Sequence, residues 1–308
     1  MPPKFSINPN IAQAETLSSE FYENPEIFID CKEKIFASSW QFITHSSTFN
    51  DHTIFPFSFL KGYIDEPLLL IKNEDVINCY SNVCTHRAHL VASRPCSINT
   101  LRCPYHGWVW DVVGTCLEQP AEPPDAKFCK QVSQSSYPCV EQNGIIYGYL
   151  GPHAPPPLPG FDWHDAPPSH CFVFKGLQRA NWLQATEGEI DPAHLSYLHC
   201  YLTDEIDDDS SYGFDQYLEP AGDTGIAVTR LFREIPNPRL EVEATDFGAR
   251  IYALRDAGNF MHVRVTNFVF PNAAVVAIRD WSLVQLHVPI DDESNWRYDI
   301  FYSFGEPI

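Results

Sequence analysis

No apolar run in the chain approaches the roughly 20 residues that a bilayer-spanning helix requires. The opening Met1-Pro2-Pro3-Lys4-Phe5 lacks the apolar stretch of a secretory signal. Together these absences predict a cytoplasmic protein. Positive charge is scarce: 20 Lys and Arg stand against 40 Asp and Glu, a formal net charge of -20. Nucleic acid and anionic membranes are therefore not expected partners, because both require positive patches. No two glycines stand at i and i+2, so the dinucleotide-binding fingerprint is missing. Any NAD(P)H or flavin chemistry is expected on a separate protein.

The 308 residues are 44% hydrophobic, enough for ordinary cores, and at about 150 residues per domain the length predicts two domains. Ten cysteines fall between Cys31 and Cys200, and none follows. In a reducing compartment so many thiols point to cluster or metal ligation, or to burial, before disulfides.

Asn24-Pro25-Glu26 reads as a helix start, with Ile27, Phe28, Cys31 and Ile35 at helical spacing up to about Trp40. Strands are predicted at 68–71, 76–80, 108–112 and 145–150, separated by turn residues, which makes a small all-β module. Seven prolines between residues 152 and 168 mark a boundary. A helical region around 181–201 and an acidic stretch, 204–209, come next. Strands are then predicted at 225–235, 239–247, 249–255, 261–270, 273–279, 282–289 and 296–304. Alternation in Arg239-Leu240-Glu241-Val242-Glu243 and Met261-His262-Val263-Arg264-Val265 predicts an antiparallel sheet with one wet face. The fold class is α+β.

Two short segments carry metal-ligand spacing. Cys84-Thr85-His86 is followed, sixteen residues later, by Cys103-Pro104-Tyr105-His106-Gly107-Trp108. Each segment offers one thiolate and one imidazole. A structural zinc accepts this donor set, although zinc sites usually segregate cysteines and histidines into separate knuckles. A mixed pair of loops suits a [2Fe–2S] cluster in which one iron takes both cysteines and the other both histidines. His89 lies outside both patterns and reads as a surface or neighbouring histidine. Cys79, Cys96, Cys116, Cys129 and Cys139 form no further C-x-x-C pair and read as buried thiols.

The second constellation is Glu187, Asp191, His194 and His199, in the order E-x3-D-x2-H-x4-H. A helix puts Asp191 and His194 on one face. His194 and His199 would diverge by roughly 140° on a regular α-helix, so meeting at one metal requires a bend or a helix end between them. Asp191-Pro192 reads as a helix restart. Two histidines with a carboxylate and open positions are the ligand set of non-haem Fe(II) oxygenases.

Cys84-Thr-His-Arg87 and Cys103-Pro-Tyr-His-Gly-Trp108 resemble the two cluster loops of Rieske proteins, with Ala88 where Rieske oxygenases commonly have Gly. Together with the 181–199 segment, the chain resembles the oxygenase (alpha) subunit of Rieske ring-hydroxylating oxygenases, in the phthalate dioxygenase-like branch. The resemblance implies an all-β Rieske domain at 40–155, inserted in an α+β catalytic domain at 1–39 and 160–308 with a large helix-grip antiparallel sheet. It implies a [2Fe–2S] cluster on Cys84, His86, Cys103 and His106, with Arg87 and Trp108 around it. A mononuclear Fe(II) would sit on His194 and His199, Glu187 nearby, and Asp191 would bridge it to the cluster of a neighbouring subunit.

Such a protein would use O2 to hydroxylate a small aromatic substrate, an aromatic acid by analogy with the branch, as a dioxygenase or as a monooxygenase or demethylase. Electrons would come from an NAD(P)H-dependent reductase or ferredoxin, and the assembly would be a homotrimer. A cluster-only electron carrier and an inactive fragment are the alternatives of another class. In the family the third iron ligand is an Asp from a late helix. Asp204, Asp207, Asp208 and Asp209 read as solvated, and Asp280, Asp291 and Asp299 as strand-end residues. The ligand is thus expected in a segment that would follow residue 308.

Overall fold

The computed structural model describes residues 5–123, 125–126, 128–199, 221–278 and 280–308. The chain divides into two compact units, one formed by Phe28–Asp165 and the other by Met1–Ile27 with Ala166–Ile308. Helices α1 (Ser19–Glu23) and α2 (Pro25–Cys31) precede a π-helical turn at Lys32–Phe36, closed by the Ala37 N–H on the Lys32 carbonyl at 2.9 Å. The helix expected from Asn24 to Trp40 thus changes at Cys31 to a wider, under-wound turn.

Among the described residues, the Phe28–Asp165 unit has ten short antiparallel strands in three sheets. They are β1 (Gln41–His45), β2 (Ile54–Phe59), β3 (Glu66–Asn73), β4 (Val76–Ser81), β5 (Thr100–Arg102), β6 (Val109–Asp111), β7 (Cys116–Glu118), β8 (Ser136–Tyr137), β9 (Cys139–Gln142) and β10 (Ile145–Gly148). Their orders are β1-β10-β9, β2-β3-β4-β8 and β5-β6-β7. The apolar runs Leu68–Ile71 and Ile145–Gly148 sit in interior strands, and every residue in them is buried. A strand covered on both faces reads as a continuous run, not as an alternation. Ile54, Leu69, Ile71 and Tyr80 pack with Leu101, Trp110 and Cys116 in one core, which therefore joins the second and third sheets. Cys84, Cys103 and Trp108 belong to the same core.

The other unit is dominated by one seven-stranded antiparallel sheet. Its strands are β11 (Cys171–Gln178), β12 (Arg239–Thr245), β13 (Gly248–Asp256), β14 (Met261–Val269), β15 (Ala273–Ile278), β16 (Trp281–Pro289) and β17 (Asn295–Tyr302). The order is β11-β17-β16-β15-β14-β13-β12. The sequence reading places no strand at Cys171–Gln178, yet β11 forms the sheet edge, paired with β17 from Cys171–Tyr302 to Gln178–Asn295. Helix α3 (Trp182–Ile190) lies against β14, β15 and β16.

The strand expected at 225–235 is a helix, α4 (Val228–Glu234). Its β-branched start favours a strand locally, but the segment is helical, with Val228 and Phe232 one turn apart on the face that packs on Leu195. The predicted alternation in β14 exists with an unexpected polarity. Met261 and Val263 are exposed, whereas His262 and Arg264 are part-buried and Thr266 is buried. Asp299 is not at a strand end but inside β17 and fully buried. Residues 204–209 and Cys200 lie outside the described residues.

Candidate metal centres

The two cysteine–histidine loops have the same backbone design. In the first, the Cys84 N–H donates to the His89 carbonyl at 2.8 Å, and the Cys84 carbonyl accepts from the Ala88 N–H at 2.9 Å. In the second, the Cys103 N–H donates to the Trp108 carbonyl at 2.8 Å, and the Cys103 carbonyl accepts from the Gly107 N–H at 3.0 Å. The fourth residue after each cysteine turns back through the left-handed region, at φ 54° for Ala88 and 74° for Gly107. A Cβ at Gly107 would stand 3.1 Å from Pro120 Cγ. Arg102 ties the second loop, donating to the Gly107 carbonyl and to Glu118, each at 3.0 Å.

This design brings like donors together. Cys84 and Cys103, each 2% exposed, belong to one buried cluster, and the neighbouring Cys103 thiol adds to the upward push on Cys84. Burial raises the Cys84 thiol, while the backbone N–H groups of His86 and Arg87, aimed at its sulfur, favour the thiolate. The His86 and His106 rings lie 4.6 Å apart edge to face, and His86 stacks on Trp108 at 4.7 Å with planes 2° apart. Glu122 approaches His86 Nε2 to 3.9 Å. Arg87 is exposed, and so is His89, whose Nδ1 lies 2.8 Å from the Leu90 carbonyl. Among the described residues no three His, Cys, Asp or Glu side chains gather within reach of one ion. Paired thiols and paired imidazoles, with sulfur-directed amides, fit a two-iron cluster that takes one pair per iron better than a single zinc needing all four.

The second constellation sits where α3 ends. Asn181 caps this helix, accepting from the Leu183 and Gln184 N–H groups at 2.9 and 3.4 Å. Its amide also donates to the Asp292 carbonyl at 3.1 Å, fixing the helix start to the β16–β17 connection. At the other end, the Asp191 carboxylate accepts from the Ala193 and His194 N–H groups at 2.7 and 3.2 Å. The restart after Pro192 is a single 3-10 turn, His194–Ser196, and Tyr197 leaves helical geometry. With the helix ended there, the His194 and His199 rings lie 5.1 Å apart.

Asp191 Oδ2 is 3.7 Å from His194 Nδ1. The imidazole, aided by the two amides, holds the Asp191 carboxyl below its ordinary range. Burial, then the charges of His194 and Arg264, push His199 down toward the neutral, ligating form.

These groups face a cavity of about 550 Å³ in the sheet-containing unit, whose lining includes His194, His199, Asp191, Glu189, Arg264 and Arg297. Glu187, singled out in the sequence, does not line it; both of its oxygens accept from the Tyr22 hydroxyl, at 2.8 and 3.0 Å. The glutamate on the wall is Glu189, raised by burial more than Arg297, His194 and Gln285 lower it.

The sequence reading also misses Arg255. It is 0% exposed, donates to Ser196 Oγ at 3.1 Å, to the Pro192 carbonyl at 3.4 Å and to the Ile235 carbonyl at 3.1 Å, and lies over the Phe232 ring. It braces both sides of the turn that carries His194. Its signal is parity, since it shares its face of β13 with the buried Ile251 and Ala253. Among the described residues, the two imidazoles acquire no further donor that would complete a three-ligand site.

An all-β unit with paired thiols and imidazoles, and a helix-on-sheet unit with paired imidazoles in a cavity, define the class of Rieske cluster protein with a second, catalytic-type domain. Residues 39–138 match the family model described as Rieske [2Fe-2S] domain, and residues 148–307 match the one described as LigXa C-terminal domain like. The chain belongs to the Rieske oxygenases, with a [2Fe–2S] domain followed by a LigXa-type C-terminal domain.

It is 30% identical over 253 residues to the phthalate 4,5-dioxygenase oxygenase subunit of Pseudomonas putida, covering 79% of this chain and 54% of that protein. It is 31% identical over 234 residues to the tert-butanol monooxygenase / tert-amyl alcohol desaturase oxygenase subunit of Aquincola tertiaricarbonis, covering 70% and 47%. The chain thus spans about half the length of these curated relatives. A crystal structure of a quaternary ammonium Rieske monooxygenase superposes with TM-score 0.62 at 18% identity, covering 94% of this chain and 76% of that one. No described helix is long and apolar enough to cross a membrane.

Proposed function

We propose that the chain is the oxygenase component of a multicomponent system that hydroxylates a small aromatic acid with O2. Cys84 and Cys103 would hold one iron of the cluster, and His86 and His106 the other. His194 and His199 would hold a mononuclear Fe(II). Once bound, these metals supply one-electron transfer and O2 activation. The observation that carries the reading is the pair of imidazoles at 5.1 Å facing a cavity beside Asp191.

The chain's own residues then have distinct tasks. Asp191 orients His194 through the turn it caps, and it is the candidate link to a cluster histidine of a neighbouring subunit, within a homotrimer. Arg264 and Arg297 on the wall suit a substrate carboxylate, placing the ring toward the histidines. Apolar lining from Leu195, Val276, Ile278 and Leu283 suits the ring itself and excludes water. Electrons would enter from a separate NAD(P)H-dependent reductase or ferredoxin.

Metal analysis of single variants tests the assignment. His106→Ala should lose the cluster absorption. His199→Ala should keep it, lose the iron in excess of the cluster and stop turnover. Asp191→Ala should keep both metals and fail to pass electrons between them; turnover near wild type in that variant sinks the bridging role. Turnover of candidate aromatic acids under labelled O2 then sets the reaction type. Two labelled atoms in a cis-dihydrodiol mark a dioxygenase, and one labelled atom a monooxygenase or demethylase.

A further inference from the structure

One cysteine pair lies outside both metal centres and is not used by the proposed reaction. Cys116, on β7, and Cys129, on the 3-10 turn Phe128–Gln131, have their sulfurs 3.0 Å apart. The Cys129 thiol also lies 3.0 Å from the Cys116 carbonyl. Cys116 is buried in the core that contains Cys84 and Cys103, and Cys129 is half-buried against that core. Nothing in the Rieske assignment requires two thiols to touch here.

The chain between them bears on the cluster loops at three described points. Glu118 holds Arg102, which holds the Gly107 carbonyl. The Pro120 ring stands over Gly107, and the Glu122 carboxylate faces His86 Nε2 at 3.9 Å. A covalent link at the two ends of this segment would close it into a ring and restrict its departure from the cluster.

We propose that Cys116 and Cys129 form a redox-active dithiol whose disulfide holds Glu118, Pro120 and Glu122 against the cluster loops. The oxidant class is a low-molecular-weight disulfide, such as glutathione disulfide. Attack starts at Cys129, the more accessible sulfur, because burial and the neighbouring thiol push Cys116 up to about 12. The Cys129 thiolate breaks the reagent's S–S bond and forms a mixed disulfide. One thiol leaves with the proton that Cys129 gave up. Cys116, already 3.0 Å away, then attacks Sγ of Cys129 and releases the second thiol, which carries the Cys116 proton. One S–S bond forms and one breaks, with two electrons passing from the cysteine pair to the reagent.

The test uses the cluster-loaded full chain equilibrated in graded mixtures of glutathione disulfide and glutathione, alkylated and digested without reduction. The expected product is a peptide linking Cys116 to Cys129, lighter than its two reduced parts by two hydrogens. Iron release to a chelator should be roughly threefold slower in the oxidised protein, as closing a short loop removes open conformations.

Cys129→Ser should abolish both the link and the slowing while keeping the cluster absorption. Because Cys129 is half-buried, this variant stays informative where Cys116→Ser disturbs the core. Complete alkylation of both cysteines across the series, or glutathione retained on Cys129 without linkage, overturns the dithiol. A link that leaves iron release unchanged overturns the hold on the cluster loops.

Discussion

The two candidate metal centres are assembled by different means. The cluster loops are local. Each is a six-residue ring whose cysteine N–H and carbonyl both bond to residues four and five positions later, so the loop geometry follows from a short sequence. The cavity site is distributed. Its histidines come from one turn at the end of α3, but the wall that faces them is drawn from β11, β14, β15, β16 and β17. A local site is written in contiguous letters, whereas a distributed one is written in strand parity and register. The two should therefore fail differently: the cluster loops through backbone conformation, the histidine turn through side chains far away in sequence.

Arg255 gives the largest expected effect. It supplies a buried positive charge to two backbone carbonyls and a hydroxyl around the His194 turn. Arg255→Ala removes three hydrogen bonds from a charged donor and leaves buried acceptors unsatisfied. The expected loss is about 3 kcal/mol, read as a lower urea midpoint for the sheet-containing unit. The cluster's visible circular dichroism should persist at urea concentrations where that unit has begun to unfold. Loss of both signals together would contradict the separation between a local and a distributed site.

Gly107→Ala probes the local centre with a smaller effect. The new methyl meets Pro120 at 3.1 Å and must adopt φ 74°. An alanine in the left-handed region costs about 1–2 kcal/mol before any movement of Pro120. The thermal loss of cluster absorption should shift downward, with the sheet-containing unit unaffected.

Legibility in the sequence follows the same division. The pairing of the two cysteine–histidine loops and six of the seven strands of the large sheet could be read directly, because tight spacing and period-two alternation are local signals. The α4 helix could not, since Ile226, Val228 and Thr229 favour a strand and only the contact of Phe232 with Leu195 reverses that preference. Nor could Glu189, Arg264, Arg297 or Arg255 be singled out. The histidines that Arg264 and Arg297 face lie tens of residues away, Arg255 reaches the His194 turn from a distant strand, and a polar residue on an alternating strand normally faces water. In β14 the usual inference inverts, because the face turned to α3 carries Arg264 and Thr266 while Met261 and Val263 stand in solvent. Glu187 and Glu189 differ by two residues on a helix, too little for spacing alone to say which faces the cavity.

Ala88 gives the smallest effect and the sharpest one for the likeness of the two loops. It holds the same place in its ring as Gly107, four residues after the cysteine, and adopts φ 54° with a Cβ attached. Ala88→Gly relieves left-handed strain of about 1–2 kcal/mol. It also frees the unfolded chain, which offsets roughly 0.4–1 kcal/mol of that gain. The net expectation is stabilisation of about 0.5 kcal/mol, read as a small upward shift in the thermal loss of cluster absorption, opposite in sign to Gly107→Ala. If both substitutions lower that transition, the rings are not equivalent, and the methyl of Ala88 contributes packing that outweighs its backbone strain.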